Sequence, residues 1–403
     1  MSHHQEVKNA WIFLSFFLIF ALIDTGCTPW LRLPASGRVA GEPISTTVDS
    51  PWARYYLETY SNDNVAAEAR DPSLDRAMDD LLEEYAQHEL DRSSLQSLSQ
   101  RTSTDFATLV LAQALYSKPH NAHINHQYRA HFRALRHEMA HGQVPVGEPF
   151  PYTVVFVPGW FYRRAPENGG DFAASRAVLT AMGIDHTLIA LEENASVEAN
   201  AHVVLQVLTA LARQGQRVVV VSASKSGPEV AIALSAMRGE PSRRFVAGWL
   251  NIGGVLRGSP AIDEVLDSTW TCAAIRVRLW FWGEDLEGAK SLRTKRRRLA
   301  YGALKLPEHM AVLHFVPWPL SGDITERADG LYQNLRNHGP NDGVTLLIDS
   351  FDEAYGATLI GVGLDHFLQK GDTRTRTVAL LRTLRDLIAT QAHGIAHGPN
   401  HPP

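Results

Sequence analysis

The sequence predicts an α/β protein whose mostly parallel sheet is flanked by helices. After about residue 150, short β-branched runs alternate with helix-length amphipathic segments, a pattern typical of a parallel sheet covered by helices. Before that point, apolar residues recur at helical spacing from about residue 51 to residue 141. The composition, 45% hydrophobic and 20% charged, is that of a globular protein and excludes a disordered or multi-span membrane chain.

The predicted strands and helices come from these runs. The strands are residues 153–157, 186–191, 217–222, 245–252, 312–316 and 358–362, and the helices between them are residues 171–182, 197–213 and 228–237. Residues 254–309 break the alternation and are rich in large side chains, including Trp270, Trp280, Phe281 and Trp282. This segment is predicted to be an insertion, with a lid over an apolar site and a packed accessory core as open alternatives.

The chain is long enough for a large domain with a smaller appendage or for two domains, and length alone does not choose between them. Residues 28–148 are predicted to form a helical N-terminal region, residues 149–393 the α/β domain, and residues 394–403, which are rich in Gly, Pro and His, a disordered tail.

An apolar run at residues 10–23 follows a polar head that contains Lys8, which is typical of an export signal. The run is shorter than the roughly 20 residues of a membrane span, so a cleaved signal and a single anchor both stay open for residues 1–27. Cys27 follows Thr25 and Gly26 as in a bacterial lipoprotein processing site, although Asp24 departs from that pattern. We expect a periplasmic or membrane-associated protein of the cell envelope.

Charge and cysteine usage exclude several classes of partner. The formal net charge of -5 argues against a nucleic-acid partner, and the one basic run, residues 293–298, has no interleaved aromatic residues. This run predicts a solvated helix face. The only cysteines, Cys27 and Cys272, are too few for a disulfide framework or a four-cysteine zinc site.

A nucleophile elbow is predicted at Ser224. Four valines, residues 218–221, run into a serine-rich turn and then into a helical segment, which is the strand, sharp turn and helix of such an elbow. The residues two before and two after the nucleophile must be small because the strand and helix backbones nearly touch there. Only Ser224 meets this requirement, with Ser222 and Ser226 on either side.

From residue 153 to about residue 389 the chain resembles lipase- and esterase-type α/β-hydrolases. The resemblance lies in the elbow at Ser224, the loop of residues 250–260, the Asn341-Asp342-Gly343 loop and Asp365-His366. It implies hydrolysis of a carboxylic ester or thioester, in a small-molecule or lipid-like substrate, through an acyl-enzyme and without a cofactor. Two departures are the serines in place of the elbow glycines and the absence of a histidine before Gly159.

The remaining catalytic residues follow from the order of elements in this fold. His366, after the last strand, is the expected base. Asp342 is the expected acid because it lies in a tight loop between the last two predicted strands and fits the chain order serine, acid, histidine. Asp323 is the alternative acid. The backbone N–H groups of Trp160, after the first strand, and of Lys225, after the nucleophile, are the expected oxyanion-hole donors.

A second motif points to different chemistry. His137-Glu138-Met139-Ala140-His141 matches the His-Glu-x-x-His pattern, which on a helix places two histidines on one face for zinc and a glutamate as general base. Position 147 is Gly, so no third ligand stands at metzincin spacing. A zinc-dependent peptidase and a catalytically silent binding protein are therefore the alternative functions.

Overall fold

The structure is a computed structural model that describes residues 31–62, 70–86, 90–140, 150–268 and 286–396. The predicted export segment, Cys27 and the four aromatic residues of the insertion lie outside these residues. No helix in the described ranges is long and apolar enough to cross a membrane.

A parallel sheet is the centre of the molecule. The strands in the described ranges are β1 (Leu33–Val39), β2 (Glu42–Val48), β3 (Thr153–Val157), β4 (His186–Leu188), β5 (Val218–Ala223), β6 (Val246–Ile252), β7 (Ala311–Trp318) and β8 (Ala357–Val362). The last six form one sheet in the order β4-β3-β5-β6-β7-β8, and every neighbouring pair is parallel. The α/β class and the six predicted strands are thus confirmed, with ends that shift by up to three residues.

Helices lie before the sheet in the chain and on both of its faces. The first five are α1 (Pro51–Tyr55), which continues as a π-helical turn (Tyr56–Tyr60), α2 (Pro72–Ala86), α3 (Arg92–Arg101), α4 (Thr104–Tyr116) and α5 (Pro119–Ala140). The others are α6 (Ala173–Ala181), α7 (Val197–Arg213), α8 (Ser226–Met237), α9 (Pro260–Asp267), α10 (Glu287–Ser291), α11 (Thr294–Gly302), α12 (Glu326–Leu335) and α13 (Thr373–Ala396).

The valine-rich strands are buried on both faces. Successive side chains of a strand point to opposite faces, so Val219 and Val221 of β5 join the apolar layer beneath α5, α6 and α13. Val218 and Val220 join the layer beneath α7 and α8. A continuous apolar run therefore suits a strand that is covered by helices on both sides.

The N-terminal region differs from the all-helical prediction for residues 28–148. Residues 33–48 form an antiparallel hairpin whose turn residues, Ala40 and Gly41, both have positive φ (48° and 79°), as a two-residue turn of type I′ requires. Pro34 and Gly37 have low strand propensity, so the local sequence does not signal this hairpin. Beyond residue 50, the described part of the region is helical as predicted.

Helix α5 covers the outer edge of the sheet. Its Asn121 Oδ1 accepts a hydrogen bond from the backbone N–H of Thr358 (2.9 Å), and its Asn125 Oδ1 accepts one from Ile360 (3.0 Å). Asn125 Nδ2 also donates to the Thr358 carbonyl (3.0 Å). Two asparagines one helical turn apart therefore satisfy backbone groups of β8 that would otherwise face away from β7.

Two further predictions need correction. Helix α13 runs to Ala396, so residues 394–396 continue a helix where a disordered tail was predicted. The basic run at the start of α11 is not wholly solvated, because the Arg297 side chain is buried and pairs with Glu198. The described parts of the predicted insertion form α9, α10 and α11.

Candidate active site

The elbow at Ser224 is a strained turn between β5 and α8. Ser224 has φ of 57°, a left-handed conformation that non-glycine residues rarely adopt. Its N–H donates to the Ile252 carbonyl (3.1 Å), and its carbonyl accepts from the N–H groups of Gly227 (3.0 Å) and Val255 (3.1 Å). These bonds to neighbouring elements hold the serine in a conformation that it would not choose alone.

The two serines that flank the nucleophile use their hydroxyl groups to secure the turn. The Ser226 hydroxyl lies 2.8 Å from the Val157 carbonyl and 2.9 Å from the Ala223 carbonyl, and it accepts from the Ala223 N–H. The Ser222 hydroxyl accepts a hydrogen bond from the Trp249 indole (2.9 Å). Serine is therefore accommodated where relatives of this fold usually carry glycine, because each hydroxyl has a buried partner.

Ser224, His366 and Asp342 lie in one hydrogen-bonded line. His366 Nε2 is 2.9 Å from Ser224 Oγ, and His366 Nδ1 is 2.7 Å from Asp342 Oδ2. The Asp342 side chain is fully buried. Its other oxygen, Oδ1, accepts from the N–H groups of Val344 and Thr345, both at 2.9 Å. The carboxylate is thus held by its own loop with one oxygen left for the imidazole.

The pKa of His366 is raised above its usual 6.5. Burial alone lowers this pKa, but the charge and hydrogen bond of Asp342 raise it, and the charge of Asp365 adds to that effect. The net result favours the imidazolium. That is the species which forms when a histidine accepts the proton of an attacking serine.

The chain order serine, aspartate, histidine on a parallel sheet, with the serine in an elbow between strand and helix, decides the fold. It is the fold of the α/β-hydrolases. No protein-family model and no curated protein matches the sequence.

Among solved structures, a metagenomic carboxyl esterase is 19% identical and superposes with a TM-score of 0.48, over 61% of this chain and 80% of that one. The mature lipase BlEst2 of Bacillus licheniformis is also 19% identical, with a TM-score of 0.46 over 60% and 95%. A thioesterase of the prodiginine pathway of Streptomyces coelicolor is 16% identical, with a TM-score of 0.33 over 60% and 95%. At this level of similarity, the names of these enzymes do not indicate the substrate of this protein.

The alternative acid, Asp323, is occupied elsewhere. Its Oδ1 accepts from the Thr46 hydroxyl of the N-terminal hairpin (3.0 Å) and its Oδ2 accepts from the Leu320 N–H (3.0 Å). Lys370 Nζ is 3.8 Å from Oδ1. Asp323 therefore joins the hairpin to the turn after β7, and the structure does not bring it to His366 Nδ1.

The two residues expected in the oxyanion hole border the elbow. Gly159, just before Trp160, is so close to the nucleophile that a Cβ on it would lie 3.9 Å from the Ser224 Cβ. The Trp160 indole donates to Asn194 Oδ1 (3.0 Å) and stacks on Phe161. Lys225 follows Ser224 and caps the N-terminus of α8, where backbone N–H groups favour negative charge.

Sequence reasoning missed a buried ion pair beneath the elbow. Lys225 Nζ lies 2.6 Å from Glu229 Oε1, and both side chains are buried. Asn200 Nδ2 donates to the same oxygen (2.9 Å). The spacing of four residues on a helix was the available signal. Burial raises the pKa of Glu229 despite the opposing effect of the Lys225 charge.

A cavity of about 630 Å³ opens beside Ser224 and His366. Its walls are mostly apolar and include Phe161, Phe172, Ile262, Leu266, Phe315 and Leu331. Ile262 and Leu266 belong to α9, so the predicted insertion contributes one wall of the cavity. An apolar cleft with a few convergent polar groups is the usual form of a small-molecule site.

The zinc motif is only partly within the described residues. His137 and Glu138 lie in the last turn of α5, and His141 lies outside the described ranges. Within those ranges, no group of three or more potential metal ligands comes together.

Proposed function

We propose that this protein is a serine hydrolase that cleaves a carboxylic ester or thioester through an acyl-enzyme on Ser224. The single observation that carries the proposal is the continuous line from Ser224 Oγ through the His366 imidazole to Asp342, with distances of 2.9 and 2.7 Å. A hydroxyl is a weak nucleophile at neutral pH, and a base within hydrogen-bond reach, oriented by a third group, is the arrangement that activates it.

The reaction proceeds in two halves. His366 Nε2 removes the proton of Ser224 Oγ as the oxygen attacks the carbonyl carbon, and the imidazolium then protonates the departing alcohol or thiol. Water then gives a proton to His366 Nε2 and attacks the acyl carbon. The bond to Ser224 Oγ breaks, the imidazolium returns its proton to Oγ, and the acid is released. Asp342 fixes the tautomer with the proton on Nδ1 and stabilises the imidazolium in both halves.

The oxyanion of each tetrahedral intermediate needs hydrogen-bond donors that are already in place. We assign this role to the backbone N–H groups of Trp160 and Lys225. Lys225 begins a helix, so its N–H adds the positive end of the helix dipole. The buried pair of Lys225 with Glu229 anchors that residue from below the turn.

The apolar cavity favours a substrate with an apolar acyl or alcohol group. Its volume of about 630 Å³ falls in the range of roughly 300–1,000 Å³ that small-molecule sites occupy. The cavity therefore supports a lipid-like ester substrate. The apolar run at residues 10–23 and the position of Cys27 after it support a location in the cell envelope.

Labelling with a fluorophosphonate tests the mechanism. The wild-type protein is expected to be labelled at Ser224, as mapped by mass spectrometry, and to hydrolyse 4-nitrophenyl esters. Ser224→Ala is expected to lose both properties. The matched control is Ser222→Ala, two residues away, which is expected to keep labelling because the Ser222 hydroxyl is engaged by Trp249. Labelling that persists in Ser224→Ala would overturn the proposal.

The same assays separate this proposal from the other two functions. A zinc-dependent peptidase would lose activity with a chelator and with His137→Ala, and regain it with added zinc. A binding protein with a silent fold would show neither labelling nor turnover. We expect the ester hydrolysis to be unchanged by the chelator and largely intact in His137→Ala.

A further inference from the structure

One wall of the cavity carries a positive charge that the reaction does not use. Arg376, in the first turn of α13, lines the cavity that contains Ser224 and His366, and its side chain is only 5% exposed. Burial lowers the pKa of this guanidinium. A buried charge is unfavourable unless it is paired, so its partners matter.

The partners of Arg376 are neutral. Nη1 donates to the Leu368 carbonyl (3.2 Å) and Nη2 to the Lys370 carbonyl (2.5 Å). Among the described residues, no carboxylate lies within ion-pair distance of this guanidinium. Two carbonyl groups use two of its five N–H donors and do not neutralise its charge. The charge of Asp372, the residue before α13, raises the pKa of Arg376, but its carboxylate lies beyond ion-pair distance.

The other arginines that line the cavity are also positively charged. Arg163 and Arg164 also line the cavity, and both are exposed, so they mark its opening to solvent. None of the described residues that line the cavity is an aspartate or a glutamate. Arg164 has Glu193 as a partner at 3.6 Å and is exposed, whereas Arg376 is buried.

Hydroxyl groups lie on the same wall as Arg376. Thr377 follows Arg376 on α13, and its hydroxyl is 2.8 Å from the hydroxyl of Ser175 on α6. Both residues line the cavity, as does Thr373 one turn earlier. The Thr377 hydroxyl donates to the Thr373 carbonyl (2.8 Å) and therefore accepts from Ser175, which leaves the Arg376 guanidinium as the charged donor on this wall. A guanidinium in an apolar cavity suits an anionic oxygen group such as a carboxylate or phosphate.

We propose that the substrate of this hydrolase carries an anionic group on an apolar arm, and that Arg376 binds the anionic group while the apolar wall binds the arm. The proposal rests on the proposed ester hydrolysis at Ser224 and adds a substrate class to it. An ester of this kind is an anionic amphiphile. A neutral ester of the same size would bring no anion within ion-pair distance of Arg376.

Two matched pairs of esters test the proposal. The first pair, 4-nitrophenyl octanoate and the mono-4-nitrophenyl ester of octanedioic acid, differs by a carboxylate at the end of the acyl arm. The second pair, phenyl hexanoate and 3-carboxyphenyl hexanoate, differs by a carboxylate on the alcohol. In at least one pair, kcat/KM is expected to favour the anionic member by more than the ratio of the two non-enzymatic hydrolysis rates.

Arg376→Gln is expected to lower kcat/KM for the preferred anionic ester by about tenfold to a hundredfold, chiefly through KM, because charged hydrogen bonds are strong. The neutral ester is expected to change by much less. Arg376→Lys is expected to keep part of the preference because it keeps the charge. Arg129→Gln is the matched control, since Arg129 is a buried arginine that donates to Ala40 and Tyr116 and does not line the cavity.

The outcomes are distinguishable. Equal losses for the neutral and anionic esters in Arg376→Gln would mean that Arg376 only holds the loop of residues 368–370, and the proposal would be wrong. If Arg376→Gln does not fold, the wild-type ratios decide, and a wild-type preference for the neutral member of both pairs overturns the proposal. If the wild type cleaves none of the four esters, the proposed function fails and this inference fails with it.

Discussion

Asp342 and Asp323 are two buried aspartates in loops that follow β7, and only one of them reaches the histidine. Asp342 leaves one oxygen for His366 because its own loop binds the other. Asp323 has both oxygens occupied, one by its own turn and one by the N-terminal hairpin. Burial and position in the chain are similar for both. The comparison teaches that the position of a carboxylate oxygen relative to the imidazole, and not its burial, determines whether it can orient a base, since Asp342 Oδ2 lies 2.7 Å from His366 Nδ1.

The electrostatics of the two loops differ as well. Burial raises the pKa of Asp323 more than its hydrogen bonds and Lys370 lower it. Asp342 instead has the effect of raising the pKa of its histidine partner. These contacts favour Asp342 as the carboxylate that orients His366. They favour Asp323 as a structural residue that joins the hairpin to the turn after β7.

The largest expected effect distinguishes the two carboxylates by turnover. Asp342→Asn is expected to lower kcat by a factor on the order of 10⁴, because an amide keeps the shape but favours the wrong tautomer of the imidazole. Asp323→Asn is expected to stay within about tenfold of the wild type, since it supplies little transition-state stabilisation. Steady-state hydrolysis of a 4-nitrophenyl ester measures both. If Asp323→Asn lowers kcat by this large factor and Asp342→Asn leaves it nearly unchanged, the assignment of the acid is reversed.

The pH dependence of kcat/KM gives a smaller effect. His366 must be neutral to accept a proton, so kcat/KM is expected to fall as the pH falls through the raised pKa of His366. Asp365→Asn removes one charge that raises this pKa, so the acid limb of the profile is expected to move to lower pH. Asp323→Asn is expected to leave the limb in place. An acid limb that moves to higher pH in Asp365→Asn would contradict this account.

The smallest expected effect concerns stability. Thr46→Val removes the hydroxyl that donates to Asp323 and is expected to lower the free energy of unfolding by about 1 kcal/mol with little change in kcat. The double variant with Asp323→Asn is expected to lose less than the sum of the single losses, because the two residues are direct partners. Ser36→Ala, which breaks an exposed hydrogen bond to Ser45 in the same hairpin, is the control and is expected to change stability by less than about 0.5 kcal/mol. Strict additivity in urea unfolding would show that Thr46 and Asp323 are not coupled.

The sequence was informative where local chemistry determines local structure. The run of valines predicts β5 because β-branched residues suit a covered strand, and the small residues around Ser224 predict the elbow on steric grounds. The choice of Asp342 over Asp323 followed from its place in the tight Asn341-Asp342-Gly343 loop between the last two predicted strands. The physical reason, the contact of Asp323 with Thr46, joins residues 277 positions apart and leaves no local signal.

Other features were hidden for the same reason. Arg376 looks like one of several arginines on a helix, and only the packing of α13 against the sheet buries it beside the cavity. The hairpin of residues 33–48 has weak strand propensity and is stabilised by burial of residues such as Val39 and Val48. Both depend on tertiary contacts that override local preference.

The two asparagines of α5 bear on whether a fragment of the chain without this helix would stay monomeric. A sheet edge with unpaired N–H and C=O groups is a template for pairing with a strand of another chain, which leads to aggregation or domain swapping. By accepting hydrogen bonds from the N–H groups of Thr358 and Ile360, Asn121 and Asn125 occupy the place of a seventh strand of this sheet. A fragment that begins at the first strand of the parallel sheet would lose this protection and present β8 to its own copies. Helix α5 therefore protects the edge strand that comes last in the chain from pairing with other molecules.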